Sequence, residues 1–250
     1  MIGDVFTMAW KEWRELLRIG GGRRGVIVRA LFSVGLLGVI WPWLVGAQFV
    51  ASAVPVLFAA ATSAMYVSAL VPDAFPGERE RHTLETLLAS RLPDAAILLG
   101  KVAAAVTYGY TAALLMLVSG WITVNVKVSA PPFLLYRSNV LIGAVGFSLL
   151  SAALMAGLGT VISLRAATVK QAQQVLTTGV MLLLLTPAIL AEAWPRGWSW
   201  LIERVSATDR PPNPASTALI VAAVMLAATV LLLLIALRRF RRSTLVLEKP

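Results

Sequence analysis

The 250 residues are 58% hydrophobic and only 14% charged, whereas a soluble globular domain is about 45–50% apolar and about 25% charged. This composition excludes an ordinary soluble domain and indicates an all-α integral membrane protein. The net charge of +10 does not indicate nucleic-acid binding, because the basic residues cluster at the ends of apolar runs, where they orient membrane spans. The absence of cysteine excludes disulfides and thiol chemistry.

Residues 1–25 are predicted to form an N-terminal amphipathic helix at the membrane interface. Over residues 4–19, aromatic and aliphatic side chains repeat at helical spacing on one face and charged side chains occupy the other. That pattern is typical of a helix lying in the headgroup region. The charged region of a signal peptide is the alternative, but it would be shorter and would lack acidic residues. The expected interfacial contacts are Trp10, Trp13, Arg14 and Arg18.

Residues 26–250 are predicted to form a six-span transmembrane domain. Positions 30–72 carry no charged residue, and because a span needs about 20 residues this length holds two spans. An interfacial turn is expected between them, near the Trp41-Pro42-Trp43 sequence and the small residues that follow. The other four spans are expected at about residues 97–124, 140–164, 175–191 and 216–237.

The distribution of lysine and arginine predicts the orientation. With both termini in the cytoplasm, the inner segments hold 17 of the 22 basic residues and the outer loops hold 5. Such an excess on one side is the usual sign of the cytoplasmic face. The charged loop at residues 73–101 is therefore expected in the cytoplasm.

The outer segment at residues 192–215 is predicted to be amphipathic. Within it, apolar residues at 198–205 repeat at helical spacing opposite charged ones. A short helix against the outer leaflet is expected, either as an interfacial anchor that uses its tryptophans or as part of a gate.

The predicted spans lack buried ionisable residues, which would mark a proton relay or a site for a coupling ion. Their polar side chains are expected either to hydrogen-bond between helices or to line a substrate path. An uncharged path favours an apolar or amphiphilic cargo, and energy for uphill transport would have to come from outside the chain. The candidate lining residues are Tyr66, Tyr108, Tyr110 and Thr111.

The loop at residues 73–101 is a dense cluster of both charge signs between two apolar runs. The Asp73-Ala-Phe-Pro-Gly77 sequence is expected to stop the second span, after which a helix resumes with ion pairs at i,i+4 spacing. These pairs are Glu78–His82 and Arg81–Glu85. The leucines from 84 to 92 form an apolar stripe, so the loop is predicted to contain a short helix parallel to the membrane.

This predicted helix suits either a solvated connection or a docking surface for a partner. A catalytic or metal site is disfavoured, because Glu78, Glu80, His82 and Glu85 show no H-E-x-x-H pattern and have no further ligand at a suitable spacing.

The sequence F-P-G-E-R-E-R-H-T-L-E-T-L-L, followed by I-L-L-G-K, resembles the signature of the type-2 permeases of ATP-binding-cassette (ABC) transporters. The family pattern is roughly F-x-G-E-R-E-x-x-T-L-E-x-L-L and then I-x-x-G-K. The opening K-E-W-R-E-L-L-R is also similar to the start of these permeases. The chain departs from the pattern at Arg91, where the family usually has proline. The matching residues are Phe75, Gly77, Glu78, Arg79, Glu80, Thr83, Leu84, Glu85, Leu87, Leu88, Ile97, Gly100 and Lys101.

This resemblance implies that the loop is a coupling helix, which docks into a groove of a separate ATP-binding subunit. Two permeases, identical or different, would pair with two ATPase subunits, and closure of the ATPase subunits on ATP would drive export. The implied docking residues are Gly77, Glu78, Arg79, Glu80, Arg81, Thr83, Leu84, Glu85, Leu87 and Leu88.

The chain contains no P-loop sequence, so no cofactor is expected in it, and ATP and magnesium are expected to bind the partner subunit. The implied location is the plasma membrane of a prokaryote, with membrane lipid as the surrounding contact. An ATP-independent transporter or channel and a membrane scaffold that transports nothing remain the alternatives.

Overall fold

A computed structural model describes residues 1–19, 35–83, 89, 91–128, 133–179 and 214–240. This part of the chain is helical and contains no strand, which confirms the predicted all-α class. The elements in chain order are α1 (Ile2–Ile19), a π-helical turn (Leu36–Ile40), α2 (Trp41–Val45), α3 (Ala47–Ala51), α4 (Val54–Leu70), a 3-10 turn (Val71–Asp73), α5 (Pro76–Glu80), α6 (Asp94–Val128), α7 (Ser138–Arg165), α8 (residues 169–179) and α9 (Pro214–Arg239).

Four helical segments of the described chain are long and apolar enough to cross a membrane. They match the predicted second, third, fourth and sixth spans, and their bounds are Val54–Glu80, Asp94–Val128, Ser138–Arg165 and Ala215–Arg239. The shorter apolar helix Leu36–Val45 lies where the first span is predicted. Most of the predicted fifth span, nearly all of the outer segment at 192–215 and the domain boundary at residue 25 lie outside the described residues.

The helix break between the first two predicted spans is present. Gly46 separates α2 from α3 with a φ of +69°, a left-handed value that glycine adopts without strain. The predicted stop of the second span is present: α4 ends at Leu70, a 3-10 turn covers Val71–Asp73, and a new short helix, α5, begins at Pro76. Proline is tolerated in the first turn of a helix, where no N–H is required. α5 in turn ends before His82, which has a φ of 56°.

The helices pack around two apolar clusters, one toward each end of the bundle. The first joins α1, α6 and α9 to the segment between α4 and α5, and Phe75 packs against Phe240 with their ring centroids 5.1 Å apart. We call this the charged end, because residues 73–83 and the end of α7 lie there. The second cluster surrounds the fully buried Phe49 at the opposite end.

Between these clusters, small residues let α4 approach α6 and α7. Two serine hydroxyls donate across the α4–α7 contact: Ser63 Oγ to the Ser148 carbonyl at 2.8 Å and Ser151 Oγ to the Ala60 carbonyl at 2.9 Å. Helices in membranes commonly associate through such small residues and interhelical hydrogen bonds.

Gly109 of α6 lies at a close approach to α4. A Cβ atom built on Gly109 would lie 2.6 Å from the Ser63 carbonyl oxygen, which is backbone and cannot rotate away. In α7, a Cβ on Gly159 would meet Val71 at 2.8 Å, whereas one on Gly146 would meet nothing within 4 Å. Close packing therefore requires glycine at some positions of these spans and leaves others open.

Gly109→Ala is expected to lower the free energy of unfolding by about 1–3 kcal/mol, because overpacking would force α4 and α6 apart. Gly146→Ala is the matched control, since it adds the same methyl group to a span with open space. It should be neutral or slightly stabilising, because alanine favours the helix by up to about 1 kcal/mol over glycine. Reversible unfolding of the purified protein in mixed micelles measures both, and equal losses for the two variants would contradict the packing argument.

Candidate functional site

The candidate site lies at the charged end, where α1, α5 and the first turns of α6 meet. Gly100 allows this contact, because a Cβ built on it would lie 2.5 Å from Cβ of Met8 and 3.1 Å from the Val5 carbonyl oxygen. The next residue, Lys101, then projects into the junction between the three helices. The I-L-L-G-K sequence therefore brings a cation against α1.

Lys101 is the centre of a buried ion-pair cluster. Its Nζ lies 2.8 Å from Oε1 of Glu12 in α1 and 3.1 Å from Oε1 of Glu78 in α5. Lys101 and Glu78 are each only 5% exposed. Isolated charges are costly to bury, whereas charges that are paired and hydrogen-bonded are tolerated. One ammonium group thus joins three helices.

Lys11 completes the cluster from its half-exposed edge. Its Nζ lies 3.2 Å from Oε2 of Glu15, 3.5 Å from Oε1 of Glu78 and 3.6 Å from Oε1 of Glu12. Burial by itself would lower the pKa of Lys11, but the attraction of these carboxylates outweighs it and raises the pKa above its ordinary value. Lys11 therefore stays charged at neutral pH.

The acidic members of the cluster could in principle ligate a metal ion. Ligand atoms of Glu12, Glu15 and Glu78 lie within 4.8 Å of one another. The ammonium groups of Lys11 and Lys101 already occupy the space between these carboxylates and neutralise most of their charge. These side chains therefore form a network of ion pairs that connects the helices.

The next two residues of α5 bind the connection between α7 and α8. Arg79 donates from Nη1 to the Ala166 carbonyl at 3.1 Å, and Glu80 Oε1 accepts from the Val169 N–H at 2.9 Å. A cation is favourable at the C-terminal end of a helix and an anion at the N-terminal end. Arg79 and Glu80 thus complement the end of α7 and the start of α8, respectively.

Gly77 and Arg81 stabilise the turn around α5. Arg81 Nη2 donates to Oδ2 of Asp73 at 2.6 Å, and this hydrogen bond raises the pKa of the Arg81 guanidinium. A Cβ built on Gly77 would overlap Oδ1 of the same Asp73. A side chain at 77 would displace the Asp73 carboxylate from Arg81, so glycine at this position favours their ion pair.

Six of the ten predicted docking residues lie in the part of the chain that the structure describes. Gly77 and Glu78 are buried and Arg79 is half-buried, while Glu80, Arg81 and Thr83 are exposed; Leu84, Glu85, Leu87 and Leu88 lie outside the described residues. The i,i+4 pairing of Glu78 with His82 is not formed, because Glu78 turns inward to Lys101 and Lys11 and the helix ends at Glu80. Arg81 pairs with Asp73, and its predicted partner Glu85 lies outside the described residues.

The predicted interfacial residues of α1 have different surroundings. Trp10 is exposed, with the Arg14 guanidinium 5.2 Å from its ring centroid. Trp13 contacts α6 instead, since its Nε1 donates to Oγ1 of Thr107 at 2.8 Å and its ring meets Tyr108 edge-on. The side chain of Arg18 lies outside the described residues.

Of the predicted lining residues, Tyr66 and Tyr108 face each other across the α4–α6 contact with their ring centroids 5.6 Å apart. Thr111 Oγ1 donates to the Thr107 carbonyl of its own helix at 2.7 Å, and Tyr110 is half-buried. These contacts are the interhelical and intrahelical ones that polar groups make inside a bundle. A role in lining a substrate path stays a prediction.

Sequence reasoning missed Glu12 and Lys11, because the helical pattern places them on the polar face of an amphipathic helix. The expectation that the predicted spans lack buried ionisable residues was also wrong at Lys101, which lies in the third span and is only 5% exposed. The available signal was Lys101 itself, whose neighbours on the same helix include no acid within a turn. A buried lysine of this kind requires a carboxylate from another element.

These observations define a helical membrane protein whose charged end is held together by ion pairs between α1, α5 and α6. The model of the family described as ABC-2 type transporter matches residues 3–207, which is more than half of the chain. The chain therefore belongs to the ABC-2 type transporter family and is a membrane permease of that family. No curated protein matches the sequence.

Lys101→Met is expected to lower the free energy of unfolding by about 3–5 kcal/mol, because it leaves the carboxylates of Glu12 and Glu78 buried without their cation. Lys127→Met, at the other end of α6, is the control. Lys127 is exposed and donates to the Trp43 carbonyl, so its loss should cost about 1 kcal/mol or less. The same unfolding assay compares the two, and similar costs would contradict a structural role for the buried pair.

Proposed function

We propose that the chain is the membrane-spanning subunit of an ATP-driven exporter, and that residues 73–101 receive the movement of a separate ATP-binding subunit. The observation that supports this most is the attachment of α5. Glu78 connects it to α1 and α6 through Lys101, while Arg79 and Glu80 connect it to α7 and α8. A displacement of this segment would therefore act on every one of those helices.

The orientation that we propose places the charged end in the cytoplasm. Met8 of α1 and Phe240, which follows α9, belong to the same apolar cluster as Phe75. The beginning of the chain and residue 240 therefore lie at the same end of the bundle. The excess of lysine and arginine in the segments at that end supports a cytoplasmic location for both termini.

An external source of energy fits the chemistry of the described spans. Their charged side chains lie toward the helix ends, in the segments 73–80, 94–101 and 127, and at Arg165, Arg238 and Arg239. Proton-driven transporters use carboxylates or histidines within the membrane, and the described middle portions of these spans offer none. ATP bound by a partner supplies what these spans do not.

The proposed assembly contains two permeases and two ATPase subunits in a prokaryotic plasma membrane. The described residues at the tip of the loop that follows α5 are exposed, and apart from Ala89 they are basic or polar, namely Arg81, His82, Thr83 and Arg91. Electrostatic complementarity favours an acidic partner surface for such a tip. Lipid surrounds the apolar faces of the spans.

Arg91→Glu is expected to weaken binding of the ATPase subunit about tenfold, or about 1.4 kcal/mol, because it reverses an exposed charge at the proposed contact. Arg137→Glu is the matched control, since Arg137 is also exposed but precedes α7 at the opposite end. Binding is measured by titrating nanodisc-embedded permease with a purified ABC ATPase subunit from the same organism. If the wild-type permease does not bind that subunit, or if both variants weaken binding equally, the docking proposal is wrong.

We propose an apolar or amphiphilic molecule as the cargo. An apolar groove of about 440 Å³ lies between α6 and α7 toward the opposite end of the bundle. Tyr136 closes one side by donating its hydroxyl to the Leu117 carbonyl at 2.9 Å, so the groove presents its ring. The lining residues are Leu114, Leu117, Val118, Trp121, Leu135, Tyr136, Leu141 and Val145.

Val118→Trp should fill this groove and lower ATP-dependent transport of a fluorescently labelled phospholipid in inside-out vesicles. Ile122→Trp is the control, because Ile122 lies one turn further along α6 with similar exposure but does not line the groove. Both residues are about half exposed, so neither change should disturb the core. Equal transport by the two variants would exclude the groove from the path of that lipid probe.

A further inference from the structure

We propose that Glu78 is a positioning residue, which fixes α1 and α5 to the base of α6, and that the contact with the ATPase is left to the exposed residues beyond α5. The proposal rests on the proposed function for the identity of the partner. The role of Glu78 within the permease is independent of it.

The side chain of Glu78 is enclosed and its two oxygens are engaged. Oε1 accepts from Lys101 Nζ at 3.1 Å and lies 3.5 Å from Lys11 Nζ. Oε2 accepts a hydrogen bond from the Thr83 hydroxyl. With the residue only 5% exposed, a partner could reach this carboxylate only if the loop opened and the ion pairs broke.

Glu78 reaches α1 through a shared cation. Lys101 Nζ lies 2.8 Å from Glu12 and 3.1 Å from Glu78, so the two carboxylates bind the same ammonium group from different helices. Removing the charge of Glu78 leaves Lys101 with one carboxylate and removes the direct pairing of Lys11 with α5. The attachment of α1 to α5 depends on this cluster, while packing of Met8 on Gly100 attaches α1 to α6 alone.

Glu80 provides a contrast within the same short helix. Successive helical residues point about 100° apart, so Glu80 lies on another face of α5, where it is exposed and accepts from the Val169 N–H. It carries the same carboxylate two positions away but makes no contact with the cluster of Glu12, Lys11 and Lys101 among the described residues. Glu80 is therefore the matched control for Glu78.

The first measurement is amide hydrogen exchange in α1 of the full-length permease in nanodiscs, without any partner. Glu78→Gln is expected to speed exchange over residues 5–19 about tenfold or more, because local opening governs exchange and the opening of α1 becomes easier. Glu80→Gln should leave these rates within about threefold of wild type. Glu78→Asp keeps the charge and should restore most of the protection, since the flexible lysine can follow a shorter side chain.

The second measurement separates positioning from contact. Binding of the same ATPase subunit is titrated against the wild-type protein, Glu78→Gln and Arg91→Glu, and ATP turnover of each saturated complex is recorded. For Glu78→Gln we expect binding within about threefold of wild type but a several-fold loss of the turnover increase that the permease causes. Arg91→Glu should weaken binding and leave turnover at saturation near that of wild type.

The proposal is overturned if Glu78→Gln weakens binding as much as Arg91→Glu while exchange in α1 is unchanged, because Glu78 would then contact the partner. If the wild-type permease binds no ATPase subunit, the proposed function fails, and exchange in α1 still decides the role of Glu78. Should Glu78→Gln fail to fold, Glu12→Gln removes the α1 side of the same link and is expected to give the same faster exchange. Unchanged exchange in that variant would also overturn the proposal.

Discussion

The buried ammonium group of Lys101 is the constraint on which the charged end of this permease depends. A lysine seven residues into a membrane-length helix must either reach water or be neutralised. Here α1 and α5 each bring a carboxylate to it, from Glu12 and Glu78. The position of both helices follows from this requirement, and Gly100 supplies the space that lets α1 come close enough.

Consecutive residues of the short helix α5 contact different neighbours, because side chains in a helix point about 100° apart. Glu78 turns toward α1 and α6, whereas Arg79 and Glu80 turn toward the connection between α7 and α8. The charged residues of this motif thus make contacts within the permease, whereas the described residues just beyond α5, Arg81 to Thr83, are exposed. Further along the bundle, serine and glycine contacts hold α4 closely packed against α6 and α7.

Much of the architecture could be predicted from the sequence, because apolar runs of membrane length indicate spans regardless of how the spans pack. The described chain has spans where four of the six were expected. The break near residues 73–77 could also be predicted, because Pro72 and Pro76 are compatible with the first turn of a new helical segment but not with the interior of a continuous helix. The sequence could not show that Gly159 is closely packed while Gly146 faces open space, because this difference depends on residues from other helices.

By itself, the sequence determined the membrane class, the position of most described spans and the family motif, because these depend on composition, length and residue order. Only the tertiary structure decided that Glu78 faces inward. The same residues at 77–83 are compatible with an exposed docking helix or a buried joint, and the choice depends on Lys101 and Glu12, which are 23 and 66 positions away along the chain. Electrostatic pairing across such separations is decided by the fold, since a buried charge accepts whichever opposite charge the packing brings within a few ångströms.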